Sequence, residues 1–313
     1  MSPNYPRCLA SSGLLVFFMG SLLGSSTAMA EEVMKASDSP QQQGNPGPGS
    51  VLYRAVVTIP DDLLALTTAP FQDAKADAIV FGSLLVLVAT DQPSTKFLQT
   101  HIAPKLTYTW SGPNLGSTRI GGADGYLVAF IPVYYLGSLA TDHSQGQIAA
   151  LLSIKAGAYA YLYAQLLGKS LTGRTRPNPD LASGQSAEPP YTNDPWDWGH
   201  FHRPSFGWDS NGTAFPSFHY TLYFAVASVF HHVYENPWIP YGLATVALGA
   251  NFSGHHHWVS DSVAGAALGI GIGHVTVGEF FKTSVSSKQA LTISLQPAMG
   301  MDGGYGMALK AAW

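Results

Sequence analysis

Cysteine is almost missing from this chain. Cys8 is the single one and lies within the first thirty residues, so no disulfide is available and stability must come from packing or from a membrane. Charge is sparse too, at 11% of residues with a formal net charge of −4. Removing residues 1–30 takes away Arg7 and no acid, which leaves 14 cations against 19 anions and a charge of −5. No basic stripe stands outside one short cluster, which argues against nucleic acid as a partner. Clean apolar runs of the ~18 residues that suggest a membrane span are lacking as well. His231, His232, Pro240 and His274 interrupt the apolar stretches of the C-terminal half. That spacing suits a helix bundle buried in protein at least as well as membrane spans, although small-residue runs such as Ala264-Gly-Ala-Ala-Leu-Gly269 would suit close helix packing in lipid.

What is present falls into four stretches. Residues 1–30 read as a secretory signal: Arg7 gives a positive start, Gly13 to Gly24 a short apolar core, and Ala28-Met-Ala30 a small-x-small cleavage site. The mature protein is then exported, to a periplasm or cell envelope. Residues 31–50, rich in Ser, Gln, Pro and Gly, form a linker expected to be disordered. From 51 to 283 the pattern is helical, with helices expected at Asp61–Thr68, Ala78–Ala89, Tyr126–Ala140, Ile148–Leu167, Tyr220–Tyr234, Trp238–Gly249 and Ser262–Val277. Residues 284–313 alternate around Met299-Gly-Met-Asp-Gly-Gly304 and predict a β-hairpin packed on the helical domain. The polar connection Asn178–Ala214, with Trp196, Trp198, His200, His202 and Trp208, is long enough for a substrate-facing lid, or packs as a surface loop. Neither His200 and His202 nor His255 to His257 has the partner spacing diagnostic of a metal site, and no metal is assigned.

Three polar clusters carry the chemistry. Lys169-Ser-Leu-Thr-Gly-Arg-Thr-Arg176-Pro177 packs three of the 15 cations into eight residues, which suggests an anion site. Gly173 and Pro177 predict that the helix ends between Lys169 and Arg176, so that both converge on one ligand. In Phe215-Pro-Ser-Phe-His219, Pro216 and Ser217 mark a helix start, where free N–H groups and the helix dipole favour an anion, with His219 one turn inside. In Asn251-Phe-Ser-Gly-His-His-His-Trp-Val-Ser-Asp261, a helix from Trp258 onward puts His257 and Asp261 on one face. The carboxylate then holds one imidazole nitrogen and leaves the other free.

Taken in order, these clusters resemble the signature of the type 2 phosphatidic acid phosphatase and vanadium haloperoxidase superfamily: Lys, six residues, Arg-Pro; Pro-Ser-Gly-His; then Ser-Arg, five residues, His, three residues, Asp. Lys169, Arg176 and Pro177 fit the first motif, Pro216, Ser217 and His219 the second, and His257 and Asp261 the third. Phe218 stands where the family has Gly, and Ala250 and Asn251 where it has Ser-Arg. Asn supplies a donor without charge or a bidentate fork, and His255 or His256 would have to replace that charge.

The resemblance implies an all-α helix bundle and a metal-independent, cofactor-free phosphatase acting on a phosphorylated small molecule or a lipid head group, with possible membrane association. Lys169, Arg176, Ser217, the Phe218 N–H and Asn251 would hold phosphate, His257 would attack phosphorus, Asp261 would fix its tautomer, and His219 would protonate the leaving oxygen. The same fold and residues can hold vanadate, so a haloperoxidase is the competing enzyme reading. Phe218 and Asn251 are the features that favour a catalytically silent envelope protein.

Overall fold

Runs of Ala, Leu, Val and Gly with few β-branched clusters favour helix over strand, and helices make up most of the chain described in a computed structural model. It describes residues 47–69, 73–106, 114–115, 118–119, 123–204, 212–250, 256–283, 292–299 and 305–312. The signal stretch 1–30 and most of the linker lie outside the described residues.

The first two helices are α1 (Pro48–Val57) and α2 (Ile59–Thr68). α1 starts inside the stretch expected to be linker, because a proline in the first turn lacks only an N–H that would have had no intrahelical acceptor. α3 (Ala74–Ala89) and α4 (Asp91–Phe97) follow, the latter continuing as π-helical turns Leu98–Ile102 and the short α5 (Ala103–Leu106). After the two-residue strands β1 (Asn114–Leu115) and β2 (Thr118–Arg119) come α6 (Ala123–Ala140) and α7 (Ser144–Ala160). The chain then runs through π-helical turns Tyr161–Gly168 into α8 (Lys169–Thr172). β3 (Arg176–Pro177) pairs in parallel with β4 (Tyr191–Thr192). The last helices are α9 (Phe218–Tyr234), α10 (Trp238–Ala250) and α11 (Val259–Lys282). The C-terminal hairpin pairs β5 (Thr292–Met299) with β6 (Tyr305–Ala312), antiparallel, as the alternation predicts.

The fold is all-α, and its centre is the α9–α11 pair, with α7 laid across both. Gly265, Gly269 and Gly273 recur every four residues along α11 and face α9. A Cβ at Gly265 would meet Ser217 O, and one at Gly273 would meet Ala225 O, each at 2.5 Å. The two backbones approach that closely only because these side chains are hydrogen. The small-residue run thus makes the close helix packing that its composition suggests, against α9.

The N-terminal helices close the bundle through buried charge. Lys155 of α7 reaches Asp62 Oδ2 at 2.7 Å and donates to Thr58 Oγ1 at 2.6 Å. Tyr159 donates to the same carboxylate oxygen at 2.8 Å. Burial pushes the Asp62 carboxyl up, against the pull of Lys155. Among the described residues one unbroken helix, Val259–Lys282, is long and apolar enough to cross a membrane, and 61% of its apolar window is buried inside the protein.

Candidate active site

Each polar cluster sits where a helix begins or ends. The first lies where α8 stops at Gly173, whose φ of 55° is left-handed and whose N–H returns to Lys169 O at 3.0 Å. A side chain at Gly173 would strike the His200 backbone, at 2.5 Å from both its N and O. The chain then turns back, so Lys169 lies on the last helical turn and Arg174 and Arg176 on the returning segment, as the Gly173 and Pro177 signals predict. Lys169 is buried and donates to Gln165 Oε1 at 2.6 Å. Arg176 Nε donates to Thr213 Oγ1 at 3.1 Å.

The second cluster starts α9. Ser217 is the N-cap residue, with extended backbone, but its hydroxyl does not cap the helix. The residue is fully buried, and Oγ has no hydrogen-bond partner among the described residues. A buried hydroxyl left this way costs about 1–3 kcal/mol unless something outside the chain satisfies it. Phe218 fills the position of the family's Gly with a buried ring set edge-on to Tyr161 at 5.5 Å, and its backbone opens the helix. His219 follows, partly buried, its ring 5.8 Å from that of Phe218.

The third cluster starts α11, with Trp258 as N-cap. His257 Nδ1 lies 3.5 Å from Asp261 Oδ2, on the same side as the helical spacing predicts but beyond a well-formed hydrogen bond. That oxygen accepts the Trp258 N–H at 2.9 Å, and Trp258 Nε1 donates to Thr175 O at 3.0 Å. Ser260 sits inside the helix, its N–H on Asp91 Oδ1 at 2.8 Å. Asn251 and His255 lie outside the described residues. His256 lies beside Arg176, its ring edge-on to Tyr191 at 5.7 Å. Burial, and then Arg176, push its imidazole towards the neutral form. That direction works against His256 as the replacement for the missing guanidinium charge.

Direct bonds tie the clusters together. Thr172 Oγ1 donates to Phe215 O at 2.9 Å, joining the first to the second. Ser217 N donates to Asp261 O at 3.0 Å, joining the second to the third. Arg174 Nη1 reaches Asp261 Oδ1 at 2.5 Å, joining the first to the third. Arg174 is also paired with Asp91 Oδ2 at 2.7 Å, and all three residues are fully buried. Burial raises both carboxyls, and the guanidinium between them pulls both back down. Trp198 covers Arg174, its ring 4.5 Å from the guanidinium carbon.

Asp91 and Arg174 are the site residues that sequence reasoning missed. Arg174 was in view as the third cation of the first cluster, and Asp91 as the charge bounding an apolar helix, but nothing in the spacing joins them. The described part of the long connection packs rather than hovers: Gly199 N donates to Thr172 O at 3.2 Å and His200 N to Gly173 O at 2.9 Å. Its two histidines also have local partners, His200 on Asp197 at 2.8 Å and His202 on the Arg203 carbonyl at 3.0 Å.

Residues 148–283 match the family model of the PAP2 superfamily. The superfamily includes phosphatases and haloperoxidases, and the matched segment contains all three clusters together with α9 and α11. No curated protein and no solved structure matches the chain significantly. Asp91, which reaches the three clusters from α4, lies before the matched segment.

Proposed function

We propose that this PAP2 protein is an exported phosphatase that hydrolyses a phosphate monoester or diphosphate through a phosphohistidine. The observation that carries this reading is the convergence on Asp261. Its carbonyl takes the Ser217 N–H, one carboxylate oxygen takes Arg174, and the other faces His257. Asp261 thus joins the proposed phosphate cradle to the proposed nucleophile. Lys169, Arg176, the Ser217 hydroxyl, the Phe218 N–H and Asn251 bind the phosphoryl oxygens. His257 Nε2 attacks phosphorus in line while the P–O bond to the leaving group breaks, and His219 gives its proton to the departing oxygen. Water then attacks the phosphohistidine and passes a proton to His219. The N–P bond breaks, and phosphate leaves.

The substrate is a phosphorylated small molecule or a lipid head group. Association with a membrane is supported by exposed apolar side chains on helices that flank α9: Val128, Val133 and Leu136 on α6, and Trp238, Leu243 and Val246 on α10. Export is supported by the pattern of residues 1–30. The test is phosphate release by purified protein from a panel of soluble and lipid phosphates, with and without detergent. His257→Ala is expected to abolish turnover with the fold intact, and acid-labile phosphate is expected on wild type alone. Unchanged release by His257→Ala would overturn the reading.

A further inference from the structure

We propose that Arg174, anchored by Asp91 from outside the PAP2 segment, is a positioning residue that holds Asp261 as an ionised acceptor for His257. The inference rests on the phosphohistidine reading above and adds to it a residue that works through another. Asp261 is fully buried, and a carboxylate there survives only with a countercharge and donors. The charged and titratable groups that face it are Arg174, Arg176, Asp91 and His257. Arg174 alone among these cations makes a direct bond to the Asp261 carboxylate, and Nη1 also reaches Ser260 Oγ at 2.7 Å. Its Nη2 is fixed by Asp91 Oδ2 and the Pro195 carbonyl, both at 2.7 Å.

The guanidinium is thus oriented from two sides, and the geometry of its fork sets that of Asp261. Asp91 also binds the Ser260 N–H and hydroxyl, so one side chain of α4 fixes both the cation and the helix start that carries Asp261. With Arg174 held, Asp261 Oδ2 stays turned to the Trp258 N–H and to His257 Nδ1. That favours the imidazole form with the proton on Nδ1 and the lone pair on Nε2, the form needed for attack.

The experiment compares Arg174→Gln, Arg174→Lys and Asp91→Asn with wild type, using p-nitrophenyl phosphate hydrolysis across pH and orthovanadate inhibition. Without the guanidinium, Asp261 ionises only at higher pH. The acid limb of kcat in Arg174→Gln is therefore expected to move up by about one to three pH units, the usual influence of an adjacent arginine. KM and vanadate inhibition are expected to change by less than about threefold, because the loss falls on the reacting form and not on binding. Arg174→Lys should recover part of kcat, and Asp91→Asn should fall between them.

Imidazole nitrogen NMR of His257, assigned with His257→Ala, reads the same effect without turnover. The Nδ1-protonated tautomer should dominate in wild type and lose that dominance in Arg174→Gln at neutral pH. If wild type releases no phosphate but the tautomer still shifts, the phosphatase reading fails and the positioning role stands. An unshifted acid limb with an unchanged tautomer in folded Arg174→Gln overturns the proposal. Should Arg174→Gln not fold, Asp91→Asn and Arg174→Lys carry the same two readouts, and an unchanged tautomer in both overturns it equally.

Discussion

Gly265→Ala isolates the contact that sets the active-site geometry, because a single methyl group is driven between the two helices that carry the second and third motifs. The added Cβ would lie 2.5 Å from Ser217 O and 3.1 Å from Tyr220 Cβ, where ordinary carbon contacts begin near ~3.5 Å. Ser217 O is backbone and already accepts the Thr221 N–H at 3.0 Å, so it cannot swing away as a side chain would. The start of α9 must shift by about 1 Å, and with it the Ser217 N–H that binds Asp261 O. Overpacking of this kind costs about 1–3 kcal/mol, while alanine returns ~0.8–1.0 kcal/mol of helix propensity. The net loss is at most about 2 kcal/mol, but a displacement near 1 Å at a reacting centre lowers the rate on the order of 100-fold. Gly278→Ala on the same helix meets nothing within 4 Å, so it should gain up to ~1 kcal/mol and keep full activity. Urea denaturation and phosphate-release rates on the two variants decide the matter. If Gly265→Ala is stabilised like Gly278→Ala and equally active, the close approach of α9 and α11 is not what assembles the site.

Lys155→Met should cost about 3–5 kcal/mol by leaving Asp62 buried without its cation, and the double variant Lys155→Met/Asp62→Leu should regain most of it, both read by chemical denaturation. His232 and His274 lie 3.2 Å apart between α9 and α11, and burial holds both imidazoles down, His232 to about 3. Their folded values lie below the unfolded ~6.5, so stability is complete above that pH and falls as the unfolded chain takes up protons, by up to ~1.4 kcal/mol per pH unit for each ring. His232→Gln should flatten the fall in denaturation midpoint between about pH 6.5 and 4; an unchanged slope would show that these rings do not govern it. Burial and Arg176 both disfavour a charged His256, so His256→Ala is expected to leave the pH dependence of vanadate inhibition close to that of wild type.

Helix positions, the break at Gly173, the start of α9 at Ser217 and the shared face of His257 and Asp261 were legible because each depends on neighbours within one or two turns. Propensity, capping and the 3.6-residue period act at that range. The pairing of Asp261 with Arg174 was not legible. The sequence pattern hands Asp261 to His257, whereas the structure gives its shortest bond to a guanidinium 87 positions away in the chain. Asp91 is hidden for the same reason, since a carboxylate at the head of a helix is ordinarily a solvated first-turn acid. The glycines of α11 were visible as a small-residue run suited to close helix packing, but which helix they meet depends on what packs there.

Two of the buried cations in the matched segment, Lys155 and Arg174, answer a question that the family match leaves open, namely why the helices before residue 148 are there at all. Lys155 finds its carboxylate at Asp62 on α2, and Arg174 shares itself between Asp261 inside the segment and Asp91 on α4. Neither carboxylate before residue 148 is replaceable from within, because removing one partner of a buried pair strands the other in a medium that solvates charge poorly. Lys155 fastens the N-terminal helices to α7, and Arg174 fastens α4 to the start of α11. Docking of the N-terminal helices and alignment of Asp261 with His257 are therefore linked through the same ion pairs. A change that loosens α4 should reach Asp261 and His257 before it reaches the core, since the first bonds it releases are those of Asp91 to Arg174 and Ser260.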